Sequence, residues 1–139
     1  MKALSVMAWL RTLPQVLLFM GVGGAAALTH LLVVGVLVWA TDMAPLAANV
    51  IAFLVAFVVS YNGHAWFTFA SDAPRGWRVV AKFFAVASLS FVVNEVLYAL
   101  ALRWLPWHYL ISLGLVLVVV AVGTFVMSKY WAFRQERAV

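Results

Sequence analysis

The chain alternates between four long apolar runs and short polar breaks. The runs cover residues 16–39, 46–67, 79–104 and 109–130. Each run exceeds the ~20 residues that an α-helix needs to cross a hydrocarbon core of about 30 Å. Open sheets cannot pair their edge groups in lipid, so the runs predict transmembrane helices rather than strands. We therefore predict an all-α membrane protein, with one domain of four spans over residues 1–139.

Composition supports the same conclusion. Of the 139 residues, 68% are hydrophobic and 9% are charged, whereas a soluble domain carries about 25% charged residues. The absence of cysteine excludes disulfides and thiolate metal sites. A chain of this length has no room for a separate soluble catalytic module, so we expect no enzyme activity and no cofactor.

The two halves of the chain resemble each other. A shift of 64 positions aligns residues 11–69 with residues 75–133 without a gap. The clearest matched pairs lie at the ends of the second and fourth runs: Ser60/Thr124, Tyr61/Phe125, Phe67/Trp131 and Phe69/Phe133. Because each half holds two spans, both halves point the same way across the membrane. We predict two parallel two-helix repeats.

Lysine and arginine lie almost entirely at one end of the spans. The residues at this end are Lys2, Arg11, Arg75, Arg78, Lys82, Lys129, Arg134 and Arg137. Only Arg103 lies at the other end. Since cations collect on the cytoplasmic side, both termini are expected inside the cell. The same rule accounts for the net charge of +5 without a nucleic-acid partner.

Small residues cluster in the first run, where Gly21, Gly23 and Gly24 are followed by three alanines. Small residues let helix backbones approach in lipid, so we expect a helix contact there. The alternative interpretation is close approach by an acyl or prenyl chain.

Three polar residues are predicted to lie deep in the membrane. His30 is in the first run, and Asn94 and Glu95 are in the third; the 64-residue shift matches His30 with Asn94. A charge at this depth costs at least ~2.5 kcal/mol, so such groups are often functional. They are candidates for a polar path through the bundle. Alternatively, a neutral Glu95 bonded to His30 or Asn94 holds the helices together. Only His30 and Glu95 are of the types that usually bind metal ions, and two ligands are too few for a metal site.

A second polar group lies at the cation-rich end. It comprises Asn62, His64, Arg75, Arg78, Lys129 and Arg134. Lysine offers a compact charge, and arginine can hold two phosphate oxygens at once. The group is a candidate site for an anionic lipid headgroup. The alternative is that these cations snorkel towards ordinary anionic lipids.

The doubled pattern resembles the GtrA family, whose domain is also fused to dolichol-phosphate mannose synthase-like glycosyltransferases. The resemblance rests on the spacing of three motifs over roughly residues 15–134: Phe19–Gly24, His64–Phe69 and Ser128–Phe133. The first of the two closing blocks departs from the family pattern, because Ala65 stands where a basic residue is usual.

The resemblance implies movement of a polyprenyl-phosphate sugar, or of the bare carrier such as undecaprenyl phosphate, across a bacterial inner membrane for surface polysaccharide synthesis. It makes Lys129 a headgroup contact and puts His64 in the place of a family asparagine. A glycosyltransferase and a second copy of the chain are the expected protein partners.

Two other functions remain open from the sequence. One is a scaffold that anchors a glycosyltransferase and moves nothing. The other is a small proton-coupled cation exporter that uses Glu95 as its exchange carboxylate.

Overall fold

Helices joined by short links make up the part of the protein that the structure describes. The structure is a computed structural model and describes residues 13–68 and 76–135, with side chains of the last helix described as far as Thr124. The helices are α1 (Gln15–Thr41), α2 (Pro45–Gly63), α3 (Trp77–Trp104) and α4 (Tyr109–Gln135). A π-helical turn, His64–Thr68, continues α2. The predicted fold class is confirmed.

Three helices are long and apolar enough to cross a membrane: Val16–Thr41, Pro45–Phe67 and Trp77–Trp104. The described apolar stretch of the fourth, Tyr109–Thr124, is shorter. Large apolar side chains cover the outside of the helices, and Leu32, Val86 and Leu89 are each at least 60% exposed. Such a surface is stable only against lipid. The chain is therefore a membrane protein with several apolar helices.

The helix ends follow from local sequence. Asp42 ends α1 in the left-handed conformation (φ 54°), and its N–H donates to the Val38 carbonyl at 3.1 Å. Pro45 begins α2 at a position where no N–H is needed. At the start of α4, the Leu110 N–H donates to His108 Nδ1 at 3.3 Å. The links between α1 and α2 and between α3 and α4 therefore stay short.

The chain divides into two compact units, residues 1–88 and 89–139. In the first unit, α1 and α2 pack closely as a hairpin. Val22, Ala26, His30 and Val34 form the buried stripe of α1, with a residue every fourth position. The buried positions of α2 are Ala48, Asn49, Ala52 and Ala56. Alanine at this spacing lets two helix backbones approach where lipid supplies no hydrophobic drive.

Another face of α2 carries rings that meet the first turns of α3. Phe57 lies 5.0 Å edge-on from Phe84 and 5.8 Å from Phe83, measured between ring centroids. Phe53 lies 6.0 Å from Phe84, and Tyr61 lies 5.8 Å from Phe83. Edge-on and tilted pairs at these distances add about 0.5–1.5 kcal/mol beyond burial. The first unit is thus a hairpin with the start of α3 attached through aromatic contacts.

The second unit contains the rest of α3 and α4. The Tyr98 hydroxyl donates to the Tyr109 carbonyl at 3.2 Å, which fixes the end of α3 to the beginning of α4. Tyr98 is completely buried, as are Ser112 and Leu113 of α4. Beyond the link, the backbone of α4 is α-helical as far as Gln135.

Burial repeats with the same 64-residue shift as the sequence. Five pairs of buried residues are related by it: His30/Asn94, Val34/Tyr98, Ala48/Ser112, Asn49/Leu113 and Ala52/Val116. Equivalent positions that stay buried while their residue types differ are what a duplicated unit produces. The boundaries of the two halves, 11–69 and 75–133, stay a prediction. Their parallel arrangement stays a prediction.

Labelling of single cysteines tests the predicted orientation. Trp77 and Trp107 are exposed tryptophans at opposite ends of α3 and its following link, and the chain contains no cysteine. We expect a membrane-impermeant maleimide to label Trp107→Cys in intact spheroplasts and Trp77→Cys only after permeabilisation. Equal labelling of the two variants in intact spheroplasts would contradict cytoplasmic termini.

Candidate functional site

The end of α2 departs from regular α-helix at a close helix contact. A Cβ atom placed on Gly63 would lie 2.6 Å from Val22 Cγ1 and 3.1 Å from Val22 Cγ2. Only glycine permits this approach, since a valine side chain has little rotamer freedom in a helix. The π turn His64–Thr68 begins at the next residue. Single π turns inside α-helices occur frequently at functional sites.

An apolar groove of about 490 Å³ lies between α1 and this turn. We call it the α1–α2 groove. Its α1 wall includes Leu17, Gly21 and Ala25, and its α2 wall includes Asn62 and Trp66. The volume lies within the ~300–1,000 Å³ of typical ligand sites. Asn62 is the only polar side chain among the described residues that line the groove.

The glycines of α1 do not make the helix contact that the sequence predicted. A Cβ atom on Gly21, Gly23 or Gly24 would meet nothing within 4 Å. The predicted helix contact nevertheless lies in this patch, because Val22 faces Gly63 and Ala26 is buried. Gly21 instead lines the α1–α2 groove.

His64 lies among aromatic rings. Its imidazole stacks on Phe19 with a centroid distance of 4.6 Å and meets Phe83 edge-on at 6.0 Å. The residue is 6% exposed. A headgroup would have to displace one of these rings to reach the imidazole from their side. The headgroup role of His64 stays a prediction.

The other predicted headgroup residues fall partly outside the described chain. Asn62 is half-buried, and its amide nitrogen donates to the Val58 carbonyl at 2.8 Å. Arg78 is exposed, with its guanidinium carbon 5.9 Å from the Trp77 ring centroid. Arg75 and the side chains of Lys129 and Arg134 lie outside the described residues. Their gathering into one site is a prediction.

The deep polar groups include a pair that the sequence analysis did not identify. His30 Nε2–H donates to Asn49 Oδ1 at 2.6 Å, and both residues are buried. This bond joins α1 to α2 and requires the hydrogen on Nε2. Buried polar groups of a transmembrane helix need such partners because lipid offers none. His30 therefore contributes to holding the first hairpin together.

Asn94 and Glu95 belong to the second unit. Asn94 is buried at 4% exposure, and Glu95 is half-buried. Both make polar or electrostatic interactions within the protein. The predicted path through His30, Asn94 and Glu95 stays a prediction. Within the searched part of the chain, no three metal-ligating side chains come together.

The sequence carried only a weak signal for the pair His30–Asn49. His30 lies 12 positions before Asp42 and Asn49 lies 7 positions after it. In a hairpin that is symmetric about Asp42, the two residues would therefore not lie opposite each other. The aromatic face of α2 carried a clearer signal, because Phe53, Phe57 and Tyr61 recur every fourth residue. The sequence carried no signal for the π turn. The two halves align without a gap, so no extra residue marks the turn.

The chain matches the model of a known family. The family described as GtrA/DPMS, transmembrane domain, matches residues 18–133, which include most of α1, all of α2 and α3, and most of α4. No curated protein and no solved structure matches the chain significantly.

Proposed function

Because the chain belongs to the GtrA/DPMS transmembrane domain family, we propose that it moves a polyprenyl-phosphate-linked sugar, or the bare carrier, across a bacterial inner membrane. The family match over residues 18–133 is the observation that carries the proposal. The product serves surface polysaccharide synthesis or glycosylation. The movement makes and breaks no covalent bond, so the protein acts as a translocase and not as an enzyme.

The barrier to such movement is the polar headgroup. Each hydroxyl transferred into hydrocarbon without a partner costs about 4–8 kcal/mol. Polar side chains at membrane depth lower this cost by offering hydrogen bonds in place of water. Asn94 and Glu95 are the proposed partners in α3. His30 and Asn49 bind each other at 2.6 Å, so a sugar hydroxyl would replace one member of that pair.

The phosphate binds at the cation-rich end in this proposal. Lys129, Arg75, Arg78 and Arg134 supply the positive charge, and Asn62 supplies an amide. A phosphate held by charged donors there gains charge-assisted hydrogen bonds, which are roughly twice as strong as neutral ones. The isoprenoid tail remains in lipid or on apolar protein surface throughout.

A headgroup-accessibility assay tests the proposal. Liposomes containing the protein receive a fluorescent polyprenyl-phosphate sugar, and an impermeant reductant destroys the label in the outer leaflet. We expect the protected fraction to fall when the protein is present. An unchanged protected fraction, with the protein folded and reconstituted, would overturn translocation.

Removal of one cation should slow the movement. A charge-assisted hydrogen bond contributes about 1.5–3 kcal/mol, so we expect Lys129→Ala to lower the flip rate roughly 10- to 100-fold. Arg103→Ala is the matched control, because Arg103 is exposed at the opposite end of the spans. An equal loss in both variants would contradict a phosphate site at Lys129.

The same variants discriminate the alternatives. The family description also covers synthase transmembrane domains, so an anchor for a glycosyltransferase is the second candidate. An anchor predicts that Lys129→Ala and Glu95→Gln leave polysaccharide synthesis intact. A cation exporter predicts drug resistance that Glu95→Gln removes.

A further inference from the structure

We propose that the α1–α2 groove binds the first isoprene units of the polyprenyl phosphate. This inference rests on the proposed function and adds the location of the chain. The groove is lined almost wholly by apolar side chains, with Asn62 as the polar exception in the described lining. It therefore suits the hydrocarbon part of the lipid and not the headgroup.

The groove has free space next to the backbone of α1 at Gly21. A Cβ atom on Gly21 would meet nothing within 4 Å, and Ala25 lies one turn further along the same wall. The opposite wall ends in Trp66, which belongs to the π turn. A chain in this space contacts two helices at once. Such contacts are the basis of binding in lipid, because lipid tails are as apolar as the protein surface and no hydrophobic drive exists.

The charge distribution favours a phosphorylated chain as occupant. In sequence, the residues of the groove follow Arg11 on the α1 side and precede Arg75 and Arg78 on the α2 side. The groove therefore belongs to the cation-rich end of the first hairpin. An anion bound at that end would place the first carbons of its chain beside the groove.

Isoprenoid and acyl chains differ in the conformational entropy that they lose on binding. The double bonds of an isoprenoid remove rotations that a saturated chain possesses, so less conformational freedom is lost on binding. Its methyl branches also contact more of the groove walls than a linear chain does. We therefore assign the groove to an isoprenoid and treat membrane phospholipid as the competitor.

Photo-crosslinking tests the assignment. A short polyprenyl phosphate with a diazirine near its phosphate end is reconstituted with the protein, irradiated, and located by peptide mass spectrometry. We expect labels on residues of α1 and α2 that line the groove. Unlabelled polyprenyl phosphate should compete, and phosphatidylglycerol at the same concentration should not.

A pair of glycine variants supplies the matched control. Gly21→Leu fills the groove, while Gly23→Leu projects from α1 about 200° away and lines no part of it. Both exchanges give the same gain in helix propensity, and a Cβ atom at either position meets nothing within 4 Å. We expect labelling to fall roughly tenfold in Gly21→Leu and to stay unchanged in Gly23→Leu. Ala25→Leu is a second filling variant, for use if Gly21→Leu does not fold.

Three results would overturn the assignment. They are labels spread evenly over lipid-facing residues, equal competition by phosphatidylglycerol, and a groove occupied by a second copy of the chain, seen as crosslinks between copies. The flip assay run in parallel separates this inference from the proposed function. If the lipid is flipped but the groove is not labelled, the assignment of the groove is wrong and translocation stands. If the groove is labelled specifically but no lipid is flipped, translocation is wrong and the assignment of the groove stands.

Discussion

Gly63→Ala lowers the free energy of unfolding by about 1–3 kcal/mol, as expected for overpacking at a close helix contact. The new methyl group would lie 2.6 Å from Val22 Cγ1. The Val22 side chain can move its Cγ1 methyl away only by taking an unfavourable rotamer in the helix. Either α1 moves away from α2 or the π turn that follows Gly63 changes.

Titration with denaturing detergent, followed by circular dichroism, measures the loss. Gly24→Ala is the control, since a Cβ there meets nothing within 4 Å, and we expect it to be neutral or slightly stabilising. Val22→Ala should restore most of the stability lost in Gly63→Ala, because it removes both clashing methyl groups. Failure of this rescue would show that the contact with Val22 is not the cause.

Breaking the bond between His30 and Asn49 should have the second large effect. Either single variant, His30→Phe or Asn49→Leu, removes the hydrogen bond between two buried polar groups. We expect a loss of about 1–3 kcal/mol for each. In the double variant both groups are gone, so the total loss should be smaller than the sum. The expected coupling is about 0.6 kcal/mol, the average measured between helices in a membrane, and at most about 1.7 kcal/mol.

The double-mutant cycle uses the same detergent titration. Thr29→Val is the control, because Thr29 is next to His30 but its hydroxyl donates to the Ala25 carbonyl of its own helix. We expect this exchange to change stability by a few tenths of a kcal/mol at most. Additive losses in the cycle would mean that the two side chains stabilise the hairpin independently.

The helices of this protein could be predicted almost completely from sequence. The predicted second and third spans, 46–67 and 79–104, differ from the observed Pro45–Phe67 and Trp77–Trp104 by one or two residues at each start. Length and hydropathy determine such segments, because lipid forces every backbone group to pair within its own helix. Proline and aspartate then mark the ends.

The candidate site was less predictable, because it depends on which helix faces meet. The cluster of small residues at Gly21–Gly24 predicted a helix contact, which lies at Val22 and is made with Gly63 of α2. Small size permits close approach but does not say which partner approaches. In the same way, His30 was recognisable as a buried polar group, while its partner Asn49 depends on how α1 crosses α2.

The π turn has a consequence for the doubled architecture. Its wider winding advances each residue around the helix axis by less than an α-helix does, whereas the equivalent part of α4 is ordinary α-helix. The backbones of the two halves therefore differ at matched positions, so the halves have diverged in geometry as well as in residue type. A synthetic chain carrying residues 11–69 twice would regain equal halves. Comparing it with the natural chain would reveal whether this asymmetry sets the preferred direction of lipid traffic.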